Sequence, residues 1–427
     1  MMTRMCRCWG RLRLVAAALA AAACAAPSAF AQCSYEVAAI IQAPPCPIVG
    51  PPVTRGHGMN SLGHVCGSYA QCWVTADEAF YWTPETGFHT IPRLPGMLSS
   101  YATGINDHGI VCGYMTTGID VGDRAWVYDT KTGEMMFLEP LHGVGNSYAN
   151  AINNSNIVVG SRSISTSGAN PYNAVIWRPF EKGSPVQDLG VMNGPNSWAA
   201  GGNAGPDGAG WAGTGVTTAN CRAYLWLVGK PVFMGLLSNT INSSANAMNN
   251  MGQAIGSCRT TPTGPFITFR WMSGEMIHHQ PPKSYQTSGA ASMNDAGQIV
   301  GSMRPTEVST HDAYLWQHGY FHNLNIIAQG SPSNLHMYVA AAVNGLGNIL
   351  AHGTLNSKVV AVVLTPINQP LTDLNHDCAT NTHDLLILLE QWGPTPTNAT
   401  GGVPIADFNG DGRVDVLDLL ILLGNWG

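Results

Sequence analysis

A tight-turn motif returns every 43 to 53 residues through most of this 427-residue chain, opening at Asn60, Asn106, Asn153, Pro206, Asn249, Asn294 and Asn344. The clearest copy runs Tyr101-Ala-Thr-Gly-Ile-Asn106-Asp-His-Gly109-Ile-Val-Cys-Gly113 and continues into Arg124-Ala-Trp126-Val-Tyr128. An aromatic or apolar residue follows each turn by 20 to 24 positions: Trp82, Trp126, Trp177, Trp226, Trp271, Trp316 and Leu364. Each copy carries four strand signals: a run rich in small residues, the turn, a Val-rich run, then an Ala-x-x-Trp run entering a second turn closed by glycine. A period of this length with four antiparallel strands per copy predicts an all-β, seven-bladed β-propeller.

Closure follows from two mismatched ends. The seventh copy stops near Thr365 without a fourth strand, and Tyr35 to Ile41 is a strand signal with no blade of its own. Joining them gives 28 strands and removes the sheet edge at the seam. The run of small residues, such as Ala102 with Gly104 and Ala149 with Ala151, suits the crowded axis, so it is the expected inner strand. The tryptophans recur at one register of an apolar strand and read as packing between blades.

Residues 1–31 carry Arg4, Arg7, Arg11 and Arg13, an apolar core from Leu14 to Ala26, and Ala29-Phe30-Ala31. This is the pattern of a secretory signal peptide with an A-x-A cleavage site, and no later segment is long and apolar enough to span a membrane. The expected location is extracellular or at the cell surface. Without the signal, 15 basic residues face 25 acidic ones, and the tail beyond Gln369 holds eight of the acids against Arg413 alone. That balance excludes nucleic acid and anionic membranes as default partners. Eight cysteines remain after the signal, and Cys33 with Cys46, Cys66 with Cys72, and Cys221 with Cys258 are the pairings that proximity or repeat register allows.

The tail contains a duplicated acidic loop. Asp407, Asn409, Asp411, Asp415 and Asp418 occupy positions 1, 3, 5, 9 and 12, with Gly412 at position 6 and the Arg413 carbonyl at 7, the ligand spacing of an EF-hand-like calcium loop. The other copy offers Asp373, Asn375, Asp377, Asn381 and Asp384 with the Ala379 carbonyl, but Cys378 stands where the sharp turn prefers glycine, which predicts a weaker site. Each loop runs into a short apolar helix, Asp384 to Trp392 and Asp418 to Trp426.

Over residues 368–427 this arrangement resembles a dockerin, a secreted calcium-binding module that plugs into a cohesin. The resemblance implies two calcium ions and a cohesin-like or cell-surface protein partner. Partner-reading positions of that family fall on Thr382, His383, Val416 and Leu417, an unfamiliar set. Within the expected propeller domain of residues 32–367, roughly residues 55–366, through patterns such as Met59-Asn60 to Gly67 with Ala79-Phe80-Tyr81-Trp82, resemble the bacterial extracellular HAF repeats. That likeness implies architecture and no shared activity.

In a propeller so ordered, both tight turns fall on one face, and the longer loops gather on the other. The long-loop face would carry Trp73, Asp120, Asp123, Arg162, Arg222, Arg259, Arg304 and Glu307, with Arg93, His142, Trp198, His279 and His336 between blades. Arg162, Arg222, Arg259 and Arg304 come from separate copies and are candidates for an anionic ligand such as an acidic glycan. No Gly-x-Ser-x-Gly elbow, His-Glu-x-x-His or P-loop occurs. Two readings stay open: a non-catalytic binding or display propeller for a glycan or protein, and a glycoside hydrolase or polysaccharide lyase drawing carboxylates from different blades.

Overall fold

The computed structural model describes residues 34–45, 52–70, 76–117, 122–138, 145–164, 171–183, 186–191, 196–202, 208–213, 221–227, 230–261, 264, 266–317, 319–367, 370, 372–375, 380–394, 406–409 and 413–426. Side chains of 202, 208–213, 227 and 230 are outside this description. The signal segment 1–31, Cys33, Cys46, Cys72, Trp73, Asp120, His142, Asp377, Cys378, Ala379, Asp411 and Gly412 also lie outside the described residues. Two compact bodies result: Ser34–Ile367, and a smaller one containing the tail from Asn368.

The larger body is all-β and propeller-like. Five repeats form separate four-stranded antiparallel sheets in chain order, as in Ser99–Ile105, Ile110–Thr116, Arg124–Asp129 and Met135–Leu138. The first and seventh repeats differ from the expected separate sheets. One parallel bridge, Val53 to Val359, merges them into a nine-stranded sheet. Within it Ser34–Ile41 pairs antiparallel with Lys358–Ile367, from Ser34 opposite Ile367 to Ile41 opposite Ala361.

Outside the fourth repeat, whose turn at Pro206 lies outside the described residues, the first hairpin turn of each repeat follows from its asparagine. The Asn106 side-chain oxygen accepts from the backbone of His108 and Ile110 at 3.1 and 3.0 Å, holding the turn, while Gly109 takes φ +83°. Where glycine is missing, Asn156 adopts the same left-handed conformation at φ 57°, the role asparagine fills best after glycine. The amides of five of the turn asparagines reach onward to the next repeat. Asn60 donates to the Asn106 carbonyl at 3.0 Å, Asn106 to Asn153, Asn249 to Asn294, Asn294 to Asn344, and Asn344 back to Asn60 at 3.0 Å. Asp107 and Asp295, expected as turn formers, also clasp neighbouring turns by accepting from the backbone N–H of Ser61 and Asn250.

A second repeated device sits at the inner strands. All seven shift register midway, as between Ala102 and Gly104, inserting one bulged residue that bends the strand. Two residues before the shift begins in repeats two to five, a serine hydroxyl bridges to the preceding repeat: Ser100, Ser147, Ser197 and Ser243 accept from the backbone of Ala79, Ala125, Ala174 and Ala223 at 2.8 to 3.0 Å. Trp126 packs with Cys66, Ala79 and Ile91 of the first repeat, and Trp271 with Ala223 and Leu225 of the fourth, as interblade packing requires.

The expected Cys221–Cys258 disulfide is not formed: both are buried free thiols, as are Cys66 and Cys112. Cys66 and Cys258 lie inside apolar clusters, and burial pushes their pKa up, so they behave as small core residues.

Candidate functional site: an aromatic crescent over an axial cavity

The repeat symmetry makes its own exceptions visible. Just before each bulge, one residue of the inner strand faces one of the second strand. In the fifth and sixth repeats these pairs are small, Ser244 with Ser257 and Gly289 with Ser302. In the second repeat the pair is Tyr101 with Tyr114, in the third Tyr148 with Ser161, and in the fourth Trp198 with Trp211. The first and seventh repeats supply Arg55 with Ser68 and Val339 with His352.

Tyr101, Tyr114, Tyr148 and Trp198, with Tyr172 of the third strand, form a continuous row of rings. Tyr101 stacks on Tyr114 with centroids 5.0 Å apart, Tyr114 meets Tyr148 edge-on at 5.1 Å, Tyr148 lies 6.1 Å from Tyr172, and Tyr172 stacks on Trp198 at 6.0 Å. All five are partly exposed. They lie at the long-loop ends of their strands and span three repeats. Polar bonds fix their outer edges: Tyr148 donates to Asp123 at 2.7 Å, the Asp123 N–H donates to Asn146 at 2.8 Å, and the Asn146 amide donates to Tyr172 at 2.8 Å.

Burial is the first cause raising the pKa of Tyr101, Tyr114 and Tyr148; the Tyr114 phenol reaches about 12, helped by Tyr101, Asp123 and Asp77. These hydroxyls are therefore neutral donors at physiological pH. Beyond Tyr101 the rim continues into a histidine cluster. His352 donates to the Gly56 carbonyl at 2.6 Å, which sets its tautomer, and His57 lies 6.3 Å from it, within 3.0 Å of the Ser68 hydroxyl. Burial, then His352, lowers the His57 pKa to about 4, so that ring is neutral too.

Inward of the crescent, the seven bulges surround an axial cavity of about 270 Å³. His57, Thr103, Asn150 and Asn246 line it with polar groups, and Ala200, Ala291 and Ala341 with methyls. On the turn side of the inner strands lies another cavity, of about 240 Å³. Met59, Ile105, Ile152, Met248, Met293 and Val343 line both and form an apolar girdle between them.

The four arginines expected on the long-loop face occupy dissimilar settings. Arg162 is 1% exposed and pairs with Asp188 at 3.2 Å. Arg222 donates to the Cys221 and Ile241 carbonyls, Arg259 lies 3.7 Å over the Phe266 ring, and Arg304 is exposed. His279 packs edge-on against Trp316 and Phe321, and His336 bonds to Asp312 at 2.9 Å. Glu307 is exposed. Trp198 joins the crescent; its four tyrosine partners give no signal until the copies are aligned on their bulges.

In the smaller body, Thr382–Glu390 and Val416–Gly424 are the two expected helices, packed through Leu374, Leu388, Val414 and Leu422. Asn381 and Asp415, which hold loop position 9, cap these helices, and each helix has a capping box completed by position 12. Asp384 and Asp418 are fully buried carboxylates that accept from Leu374 and Phe408 at 2.7 and 2.8 Å and from Asn381 and Asp415 at 2.7 and 2.9 Å. These bonds tie position 12 of each loop to the backbone of positions 2 and 9. Among the described residues no three His, Cys, Asp or Glu side chains stand close enough to hold a metal ion; the loop side chains, with Asp373 buried, offer the oxygen donors that a hard cation such as calcium takes. Val416, Leu417 and Leu420 leave an apolar face exposed on the second helix.

Fold and site thus define an all-β, propeller-like repeat body joined to a calcium-loop helix pair. Residues 371–424 match the type I dockerin domain, so the tail is such a domain, a class that binds calcium and docks on cohesin partners. Residues 65–173 match the family described as protein of unknown function (DUF3466). The comparison with curated proteins found no match. Among solved structures, puromycin hydrolase superposes with TM-score 0.51 at 10% identity, over 75% of this chain and 53% of that one. A puromycin hydrolase mutant complexed with PGG gives 0.50 at 10% identity, over 72% and 50%. A virginiamycin B lyase from Staphylococcus aureus gives 0.46 at 9%, over 78% and 99%. The chain spans about half the length of the puromycin hydrolases it matches, and likeness at these identities concerns the fold alone. Among the described residues no helix is long and apolar enough to cross a membrane.

Proposed function

We propose that this is a secreted binding protein in which seven four-stranded blades form one ring, the long-loop face holds a glycan, and the dockerin domain tethers it to a cohesin-like partner through two calcium loops. The observation that carries the reading is the crescent Tyr101, Tyr114, Tyr148, Tyr172 and Trp198, four of which stand where the fifth and sixth repeats keep serine or glycine. Neutral phenols whose edges are already fixed present apolar surface and hydroxyl groups together, as sugar rings do, at low entropic cost. The experiment is a glycan array probed with the full chain, then with Tyr148→Ala and Trp198→Ala. Retained binding in both variants would remove the crescent as the site, and capture of a protein with no glycan signal would favour the display reading.

An enzymatic reading would draw on carboxylates of adjacent repeats beside the crescent, Asp77 and Asp123, the latter accepting from Tyr148 at 2.7 Å. Cleavage of any polysaccharide by the full chain, abolished by Asp77→Asn or Asp123→Asn, would establish it.

A further inference from the structure

The axial cavity lies along the same inner strands as the crescent. Tyr101 leads through Ala102 to Thr103, and Tyr148 through Ala149 to Asn150, so the aromatic rim continues inward into the polar lining of the cavity. At its far end stands the apolar girdle, with Ile105, Met248, Met293 and Val343 each at most 7% exposed. Met59 and Ile152 of the girdle are partly exposed, so the girdle narrows the turn side, and the crescent marks the long-loop side as the entrance to the cavity.

Its size sets what enters. A cavity of about 150 Å³ accommodates benzene, so the about 270 Å³ here suits one sugar ring and not a length of chain. Its walls differ in character. Thr103, Asn150 and Asn246 each donate to the carbonyl of the next inner strand, at 2.7 to 2.8 Å, through Ala149, Ala199 and Ala290. Those bonds lock the side chains and leave the amide oxygens of Asn150 and Asn246 unengaged by them. The methyls of Ala200, Ala291 and Ala341 complete the wall. Fixed acceptors beside small apolar groups match a pyranose, whose hydroxyls radiate at its edge and whose C–H groups form its faces.

We infer that the protein recognises the end of a glycan: the terminal sugar enters the axial pocket while the next residues lie on the crescent. This rests on the glycan reading above and adds to it that internal chain segments are poor ligands. The test uses calorimetry on the full chain with linear hexasaccharides of β-glucan, xylan and polyuronate type. Each is offered with free ends, with a bulky cap at the non-reducing end, with one at the reducing end, and with both.

One of the two single caps is expected to weaken binding at least tenfold and the other to leave it unchanged, which also reveals the chain polarity. Ala291→Leu, which narrows the pocket, is expected to weaken the free-ended probe to the level of the capped one. Equal binding of free and doubly capped chains would overturn end recognition, and the crescent would stand if Trp198→Ala still lost binding. Failure of every hexasaccharide to bind would overturn both readings. The cap comparison needs no variant, so misfolding of Ala291→Leu cannot obscure the result.

Discussion

A methyl group at position 113 would collide with the Tyr101 carbonyl and sit 2.7 Å from the Trp126 ring, because the bulge turns that carbonyl toward the second strand. Gly67, Gly160, Gly256 and Gly301 meet the same carbonyl in their own repeats. The motif glycine thus answers the bulge and not a turn. Gly113→Ala is expected to destabilise the propeller body by about 3 kcal/mol, as overpacking does, read as a lowered denaturant midpoint. His57 gives a prediction of opposite visibility. Its folded pKa, about 4, lies below the ordinary 6.5, so between those values the unfolded chain binds the extra proton. Stability contributed by the neutral ring is present above pH 6.5 and is lost as pH falls toward 4. With His279 shifted likewise, first by burial, the loss is on the order of a few kcal/mol. His57→Gln should flatten part of that acid limb in urea titrations at pH 7 and pH 4.5.

At the scale of elements, strands and turns were largely legible from sequence because one turn chemistry recurs and its partners stand at fixed offsets. The crescent was not. Tyr114 looks like any strand tyrosine until the bulges align it with Ser68, Ser257 and Ser302, and that register is a backbone fact. The arginines failed to share one setting for a related reason: side-chain burial at a strand end depends on neighbouring repeats, as with Arg162 over Asp188. In the tail the loop spacing was plain, while the second task of Asp384 and Asp418, completing a helix capping box, was not read. Because the same carboxylates hold loop and helix, chelation is expected to melt both helices together, seen as loss of far-ultraviolet ellipticity in the isolated tail. Asp418→Ala should cost more calcium affinity than Asp384→Ala, since only the former loop carries glycine at position 6. Calorimetry showing the reverse order would refute the ranking.

At the scale of the molecule, the propeller body is fastened where its two ends meet. Thr365 lies within 3.4 Å of Glu36 across 329 residues of chain, and Asn344 reaches Asn60 across 284. Removing Ser34–Ile41 would leave Lys358–Ile367 with Ile349–Leu355 as its remaining antiparallel neighbour, so the truncated body is expected to melt at much lower temperature in a single transition, whereas a local role would only broaden the first phase. The same fastening imposes an order in time. The first strand made is the last to find its partner, and at about 5–20 residues per second the ribosome needs tens of seconds to supply Lys358–Ile367. Until then the opening strand is a vacant seat at the sheet, and a chain cut short anywhere before it can never fill that seat. The N-terminal strand therefore works as a check on synthesis: only a copy made through Ile367 can seat Ser34–Ile41 beside Lys358–Ile367.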